Sequence, residues 1–152
     1  MRVRSGLLAG MFALTATLSS YPTLSDSYIV VDKSENSLTY YQHNVKVKSF
    51  SVATGRTVQD TPNGVFPVVM LVKNPWYLKK NIPGGAPENP LGVRWIGLEV
   101  PGTDGSIYGI HGTNDPSSIG KHASSGCVRM KNEEVTWLYE HVHVGTLVEI
   151  VE

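Results

Sequence analysis

The chain predicts a mainly β domain with one or two short helices, and three observations carry that prediction. Short apolar or alternating runs recur between turn signals along most of the chain. Only one segment, near the C-terminal end, keeps a helical period. Strands do not alternate with long helical segments, so the βαβ rhythm of a doubly wound sheet is missing.

The first residues stand apart. Arg2 and Arg4 precede an apolar stretch from Gly6 to Leu18 rich in Leu, Ala and Met. It is shorter than the roughly 20 apolar residues of an ordinary spanning helix. Thr17 and Ser19 place small residues ahead of a cleavage point after Ser19. Residues 1–25 therefore read as a signal peptide, with an uncleaved N-terminal anchor as the alternative. Residues 26–152 read as one domain, long enough for one sizeable core. The expected location is exported and extracytoplasmic.

Tyr28 to Val31 and Leu38 to Tyr41 read as two strands on either side of a polar stretch. His43-Asn44 makes a tight turn into Val45 to Val52, which alternates as a strand with one wet face does. Thr54-Gly55-Arg56 closes this antiparallel meander. Thr61-Pro62-Asn63-Gly64 is a turn with Pro and Gly at favoured places. Val65 to Val72 continues as a strand, confined by Pro67 to an edge or a bulge. Asn81 to Leu91 carries Pro83, Pro87, Pro90 and the Gly84-Gly85 pair, which excludes a regular element. A binding loop or lid and a solvated connector both fit that composition. Val93 to Leu98 and Ile107 to His111 are two further strands around the Pro101 to Gly105 turn. Asp115 followed by Pro116 starts a short helical turn. The main helix begins at Asn132, with Glu133 and Glu134 in its first turn. Val135, Leu138, Tyr139 and Val142 form its apolar face. Thr146 to Val151 is a closing strand.

Charge excludes some partners. Thirteen Lys and Arg balance thirteen Asp and Glu, so neither nucleic acid nor an anionic membrane is expected as the main partner. No glycine-rich nucleotide loop occurs. No carboxylate pair flanks the candidate residues below, so a glycosidase would lack its two acids. His111, His122, Cys127, His141 and His143 could ligate zinc, but no pair has a zinc-binding spacing. Neither a metal nor another cofactor is expected. Trp76, Trp95 and Trp137 read as core or groove wall.

The chemistry centres on Cys127, the one cysteine of the chain. Behind an export signal it has no intramolecular partner for a disulfide. A lone cysteine is most often a small buried hydrophobe, and a lone histidine is most often structural. Here the two fall in a pattern. A thiol of pKa ~8.5 needs a base or a cationic neighbour to act as a nucleophile at neutral pH. His111 ends a predicted strand 16 positions earlier, and Arg129 follows two positions later, on the same face of an extended segment. Gly126 lets the backbone turn sharply, so that amides near Cys127 converge on an oxyanion. Cysteine, histidine and such a turn point to acyl transfer through a thioester.

These residues reach a known family. Ile110-His111-Gly112-Thr113-Asn114 and Ser125-Gly126-Cys127-Val128-Arg129-Met130 resemble the active-site signature of the L,D-transpeptidases, the YkuD-like catalytic domains. Thr54-Gly55, Thr61-Pro62-Asn63-Gly64-Val65-Phe66, Pro90-Leu91-Gly92 with Arg94-Trp95, and Gly145-Thr146 with Val148 extend the likeness over about Tyr28 to Val151. The resemblance implies a β-sandwich-like fold, Cys127 as nucleophile and His111 as base. It implies that the Gly112 carbonyl orients the imidazole and that Gly126 and the Cys127 amide form the oxyanion hole. Arg129, Tyr108 and Ser125 would line the donor site, Ser125 standing where many members carry histidine. His122 is not taken to replace that histidine. The implied reaction is attack on the third, diamino residue of a peptidoglycan tetrapeptide stem, release of the terminal D-Ala, and a 3→3 cross-link to a second stem. The implied partners are donor and acceptor stems, the implied state a monomer, and the implied setting the cell-wall or periplasmic side. Acylation by carbapenems is implied as well. An L,D-carboxypeptidase or cysteine hydrolase of wall peptides, and a catalytically silent wall-binding module, are the alternatives.

Overall fold

The computed structural model describes residues 26–152, and the expected signal peptide or anchor lies outside them. Along the chain run β1 (Ser27–Asp32), β2 (Ser37–Gln42), β3 (Val45–Ser51), β4 (Thr54–Gly55) and β5 (Gly64–Lys73). A 3-10 turn (Leu78–Lys80) precedes β6 (Arg94–Leu98) and β7 (Tyr108–His111). A second 3-10 turn (Pro116–Ser118) leads to β8 (His122–Ser124), β9 (Val128–Arg129), α1 (Asn132–His141) and β10 (Leu147–Val151). The fold is mainly β, as the sequence predicts.

Eight strands form one curled sheet in the order β3-β2-β1-β10-β5-β6-β7-β9, and β4 pairs with β8 beside it. The first three strands are the expected antiparallel meander. His43 and Asn44 turn the hairpin with φ of 50° and 60°, the left-handed pair that a two-residue hairpin turn demands. The last strand enters the middle of the sheet. β10 lies parallel to β1, with Tyr28 opposite Leu147, and antiparallel to β5, with Pro67 opposite Leu147.

β5 is the corner of the sheet. Its first residues, Gly64 to Pro67, pair with β10, and Val68 to Lys73 pair with β6, with a register shift between Val68 and Met70. Pro67 therefore sits in an interior strand, at the handover between two ladders. The bulge alternative holds and the edge alternative does not. A proline is tolerated there because the regular ladder is already interrupted.

β3 differs from its alternating pattern. Val45 and Val47 are 64% and 47% exposed, while Phe50 is buried. The strand is the sheet edge, and it carries a bulge: Tyr40 pairs with Lys48 and Tyr41 with Lys46, so Val47 is the extra residue. The Lys48 ammonium lies 5.4 Å from the Phe50 ring centre and 4.8 Å from that of Trp137. A charged edge of this kind also discourages pairing with a further strand.

The core gathers the inward faces of the sheet: Ile29 and Val31, Leu38, Val68, Ile96, Ile110, Val128 and Val148. α1 closes it with Val135 and Leu138, both wholly buried. Trp137 meets Tyr40 edge-on at 5.5 Å and Phe50 at 5.6 Å. The helix thus ties the meander to the site-bearing strands, on which it also packs. Burial of each such aliphatic side chain contributes about 1.5–3 kcal/mol.

Candidate active site

β7 and β9 run parallel, with Ile110 opposite Val128 and His111 opposite Arg129. Strand alternation sends Ile110 and Val128 into the core, where both are buried. Gly109 and His111 therefore share the other face with Cys127 and Arg129. The nucleophile and base candidates are diagonal neighbours on adjacent strands, which is how residues far apart in sequence come to one cavity.

At rest the thiol faces its own surroundings rather than the imidazole. Cys127 Sγ donates to the Ile107 carbonyl at 3.3 Å. Burial pushes the thiol pKa up, and the Gly109 N–H, Arg129 and Lys79 oppose the shift without overcoming it. Arg129 is thus the cationic neighbour that the sequence implied, but desolvation outweighs it.

His111 is 5% exposed. Its Nδ1 lies 2.5 Å from the Gly112 carbonyl oxygen. A carbonyl only accepts, so Nδ1 carries the proton and Nε2 keeps its lone pair. Burial lowers the imidazole pKa to about 4, helped by the Arg129 charge; the Gly112 and Leu91 carbonyls pull the other way. The ring is therefore neutral at physiological pH. Trp95, opposite His111 on β6, stacks on it with centroids 5.5 Å apart and 15° between planes. The indole is itself fixed, Nε1 donating to the Gly105 carbonyl at 2.8 Å.

The Gly112 carbonyl is held from behind by α1. Asn132 Oδ1 accepts from the Thr113 N–H at 3.2 Å. That oxygen lies 2.1 Å from where a Cβ would sit on either Gly92 or Gly112. One side-chain amide therefore requires glycine at both positions.

The turn that presents Cys127 is equally constrained. Gly126 has φ +144°, a backbone that other residues rarely adopt. Its carbonyl accepts from Thr61 Oγ1 at 2.9 Å, and the same hydroxyl accepts from the Gly55 N–H at 2.9 Å. Ser124 Oγ donates to the Cys127 carbonyl and accepts from the Gly126 N–H. The Gly126 amide, expected in the oxyanion hole, is thus engaged by Ser124. Gly126 serves the site through its conformation. Behind the turn, buried Lys33 donates to the carbonyls of Val58 at 2.8 Å and Thr61 at 3.0 Å.

A cavity of about 610 Å³ opens over these groups. Its wall includes His111, Ser125, Cys127 and Arg129, so four of the expected residues come together there. Gly112 and Gly126 stand behind it as backbone supports. Tyr108 is not on the wall. Alternation along β7 turns it away from His111, and it packs against the core, its ring 3.2 Å from where a Cβ on Gly126 would sit. The loop between β5 and β6 supplies the facing wall with Trp76, Leu78, Lys79 and Leu91. Asn89 stitches that loop together. It is buried, and its Nδ2 donates to the carbonyls of Pro75 at 2.9 Å and Pro83 at 3.0 Å.

Sequence reasoning missed the Ile107 carbonyl, Trp95 as the support of the imidazole, and Lys79. Only Trp95 left a signal, through its place in a strand beside the one ending at His111. The other histidines are occupied elsewhere. His122 contacts Thr54 at 3.1 Å, and His141 stacks on Trp137 with centroids 3.8 Å apart. Among the described residues no three His, Cys, Asp or Glu side chains cluster to hold a metal ion.

Comparison with known proteins identifies relatives of this fold. The family model described as the L,D-transpeptidase catalytic domain, YkuD, matches residues 26–150. A Bacillus subtilis protein named as a candidate L,D-transpeptidase, YqjB, is 50% identical over 135 residues, covering 89% of this chain and 77% of that protein. YkuD of the same organism, also named as a candidate, is 34% identical over 148 residues, covering 97% and 79%. L,D-transpeptidase 3 from Mycobacterium tuberculosis, solved with a faropenem-derived adduct, superposes with a TM-score of 0.66 at 18% identity, over 84% of this chain and 60% of that one. Bd1075 of Bdellovibrio bacteriovorus superposes with a TM-score of 0.65 at 20% identity, over 87% and 50%. The chain thus spans only about half to three fifths of these solved proteins, and they show the fold alone. With a family match across nearly all the described residues and a relative identical at half of 135 aligned positions, this chain belongs to the YkuD family of L,D-transpeptidase catalytic domains.

Proposed function

We propose that this protein is an exported L,D-transpeptidase that joins peptidoglycan stem peptides through a thioester on Cys127, forming 3→3 cross-links in the cell wall. The observation that carries the reading is the cavity in which a sole cysteine and a buried, neutral histidine share one sheet face. A thiol raised by burial and an imidazole lowered by it rest as an uncharged pair. Attack then requires the thiol to leave the Ile107 carbonyl and give its proton to Nε2 of His111. The sulfur bonds to the carbonyl carbon of the third stem residue, with the Cys127 amide facing the oxyanion. The imidazolium returns the proton to the departing D-Ala amine. An acceptor amine, deprotonated by the same imidazole, resolves the thioester and frees the thiol. The Gly112 carbonyl holds the ring through both transfers.

The test is incubation of the protein with purified tetrapeptide stems, read by mass spectrometry. Dimers linked 3→3, together with a transient acyl adduct on Cys127, are expected. Tripeptides alone would replace this reading with the carboxypeptidase. Neither product would leave the silent wall-binding module.

A further inference from the structure

The cavity carries two cations and no anion. Lys79 and Arg129 are on its wall, and no Asp or Glu is. This is a local choice, because acids and bases balance over the whole chain. Among the described residues neither cation has an ion-pair partner, the only such contacts being Lys33–Glu152 and His43–Asp26. They come from different elements. Arg129 is fixed in β9, two residues from the nucleophile. Lys79 rides the 3-10 turn of the facing loop, exposed, on a long flexible stem. Its neighbour Lys80 is not on the cavity wall. Two unpaired cations in one cavity with the nucleophile, one two residues from it and one on a separate loop, describe a site for a substrate with two carboxylates, one close to the scissile bond and one at the end of a longer arm.

We infer that Lys79 is a specificity-determining residue that pairs with the carboxylate at the far end of the third stem residue's side chain. The site thereby selects a diamino dicarboxylic acid over its carboxamide. This rests on the transpeptidase reading above. Arg129, on β9 two residues from Cys127, meets the terminal carboxylate next to the bond that breaks. The diamino acid's side chain is the arm that reaches the facing wall. A lysine at an exposed rim supplies a point charge of modest strength that salt screens.

The test uses two synthetic tetrapeptide stems whose third residue is diaminopimelate or its side-chain carboxamide. Release of D-Ala is followed for the unaltered protein and for Lys79→Gln, Lys79→Arg and Lys80→Gln. The carboxylate stem is expected to exceed the carboxamide stem about fivefold in kcat/KM, mainly through KM, with the ratio shrinking in high salt. Lys79→Gln should bring the ratio close to one, Lys79→Arg should restore it, and Lys80→Gln should leave it intact. An unchanged ratio in Lys79→Gln would overturn the inference. So would equal losses on both stems, since the lysine would then act on the thiol or the loop. If the unaltered protein releases D-Ala from neither stem, the transpeptidase reading itself fails; turnover of both stems at one rate removes only the role of Lys79.

Discussion

Replacing His111 by glutamine should flatten the acid limb of the stability curve. Burial lowers the imidazole pKa to about 4 in the folded chain, against an ordinary value of 6.5. An unfolded chain therefore takes up a proton below about pH 6.5 that the folded chain refuses until about pH 4. Stability is full above the unfolded value and declines as pH falls between the two. The drop of about 2.5 units amounts to about 3 kcal/mol at its limit, and about 2 kcal/mol is already lost at pH 5. In a domain of this size that is roughly 5–10 °C in Tm. Thermal unfolding followed by circular dichroism at pH 8, 7, 6 and 5 measures it for both proteins. Carboxylates such as Asp32 titrate in both and cancel in the difference. Only the pH slope is compared, because glutamine also alters the contact with the Gly112 carbonyl. The gap between the two curves should narrow by about 2 kcal/mol from pH 8 to pH 5. Parallel curves would mean that the imidazole is not held neutral by burial, and the resting uncharged pair would go with it.

Cys127→Ala should abolish the single covalent adduct that intact mass shows after carbapenem exposure, with Tm changed by no more than a few degrees; an adduct that persists would remove Cys127 as nucleophile. Alkylation of Cys127 by iodoacetamide should be slower than that of free cysteine at pH 7 and still rising at pH 9, because burial raises the thiol; a plateau below pH 8 would contradict that direction. Thr61→Val strips the Gly126 carbonyl and the Gly55 N–H of their shared partner. It should cost about 2–3 kcal/mol in urea unfolding, and a loss under about 0.5 kcal/mol would show that the clamp is dispensable. Gly109→Ala would put a Cβ 2.7 Å from the Trp95 ring, driving the indole off His111 at a cost of about 1–3 kcal/mol. Tryptophan fluorescence and D-Ala release should both change; a silent substitution would deny the stacking any role.

Local chemistry made much of this fold legible. Turn residues and alternation marked β1, β2, β6, β7 and β10 because each spans a single apolar run. The helix was visible because Val135 and Leu138 keep its period. Pairing partners were not visible, since nothing in Leu147 to Val151 says that it lies between β1 and β5. The wet and dry faces of β3 were misleading: Val45 and Val47 fall out of step with buried Phe50, and a bulge at Val47 on the sheet edge leaves both exposed. At the site, Cys127, His111 and Arg129 could be read from residue type and spacing. Tyr108 could not be placed, because its side depends on which face of β7 the core takes. The Gly126 amide looked available until Ser124 was seen to hold it. Lys79 stayed hidden, as a lysine in a loop has no address until the loop folds over a cavity.

The position of β10 has a consequence for how the chain is made. The strand synthesised last among the described elements is the one that β1 and β5 both need as a neighbour. A ribosome-bound chain that still lacks it has two interior edges open and a core it cannot close. Contacts between the first and last strands also make the topology slow to assemble. Closure of the sheet therefore waits until β10 has been made. For the export proposed above, this delay would keep the chain unfolded while its first nine strands are made, with the thiol of Cys127 still apart from its histidine.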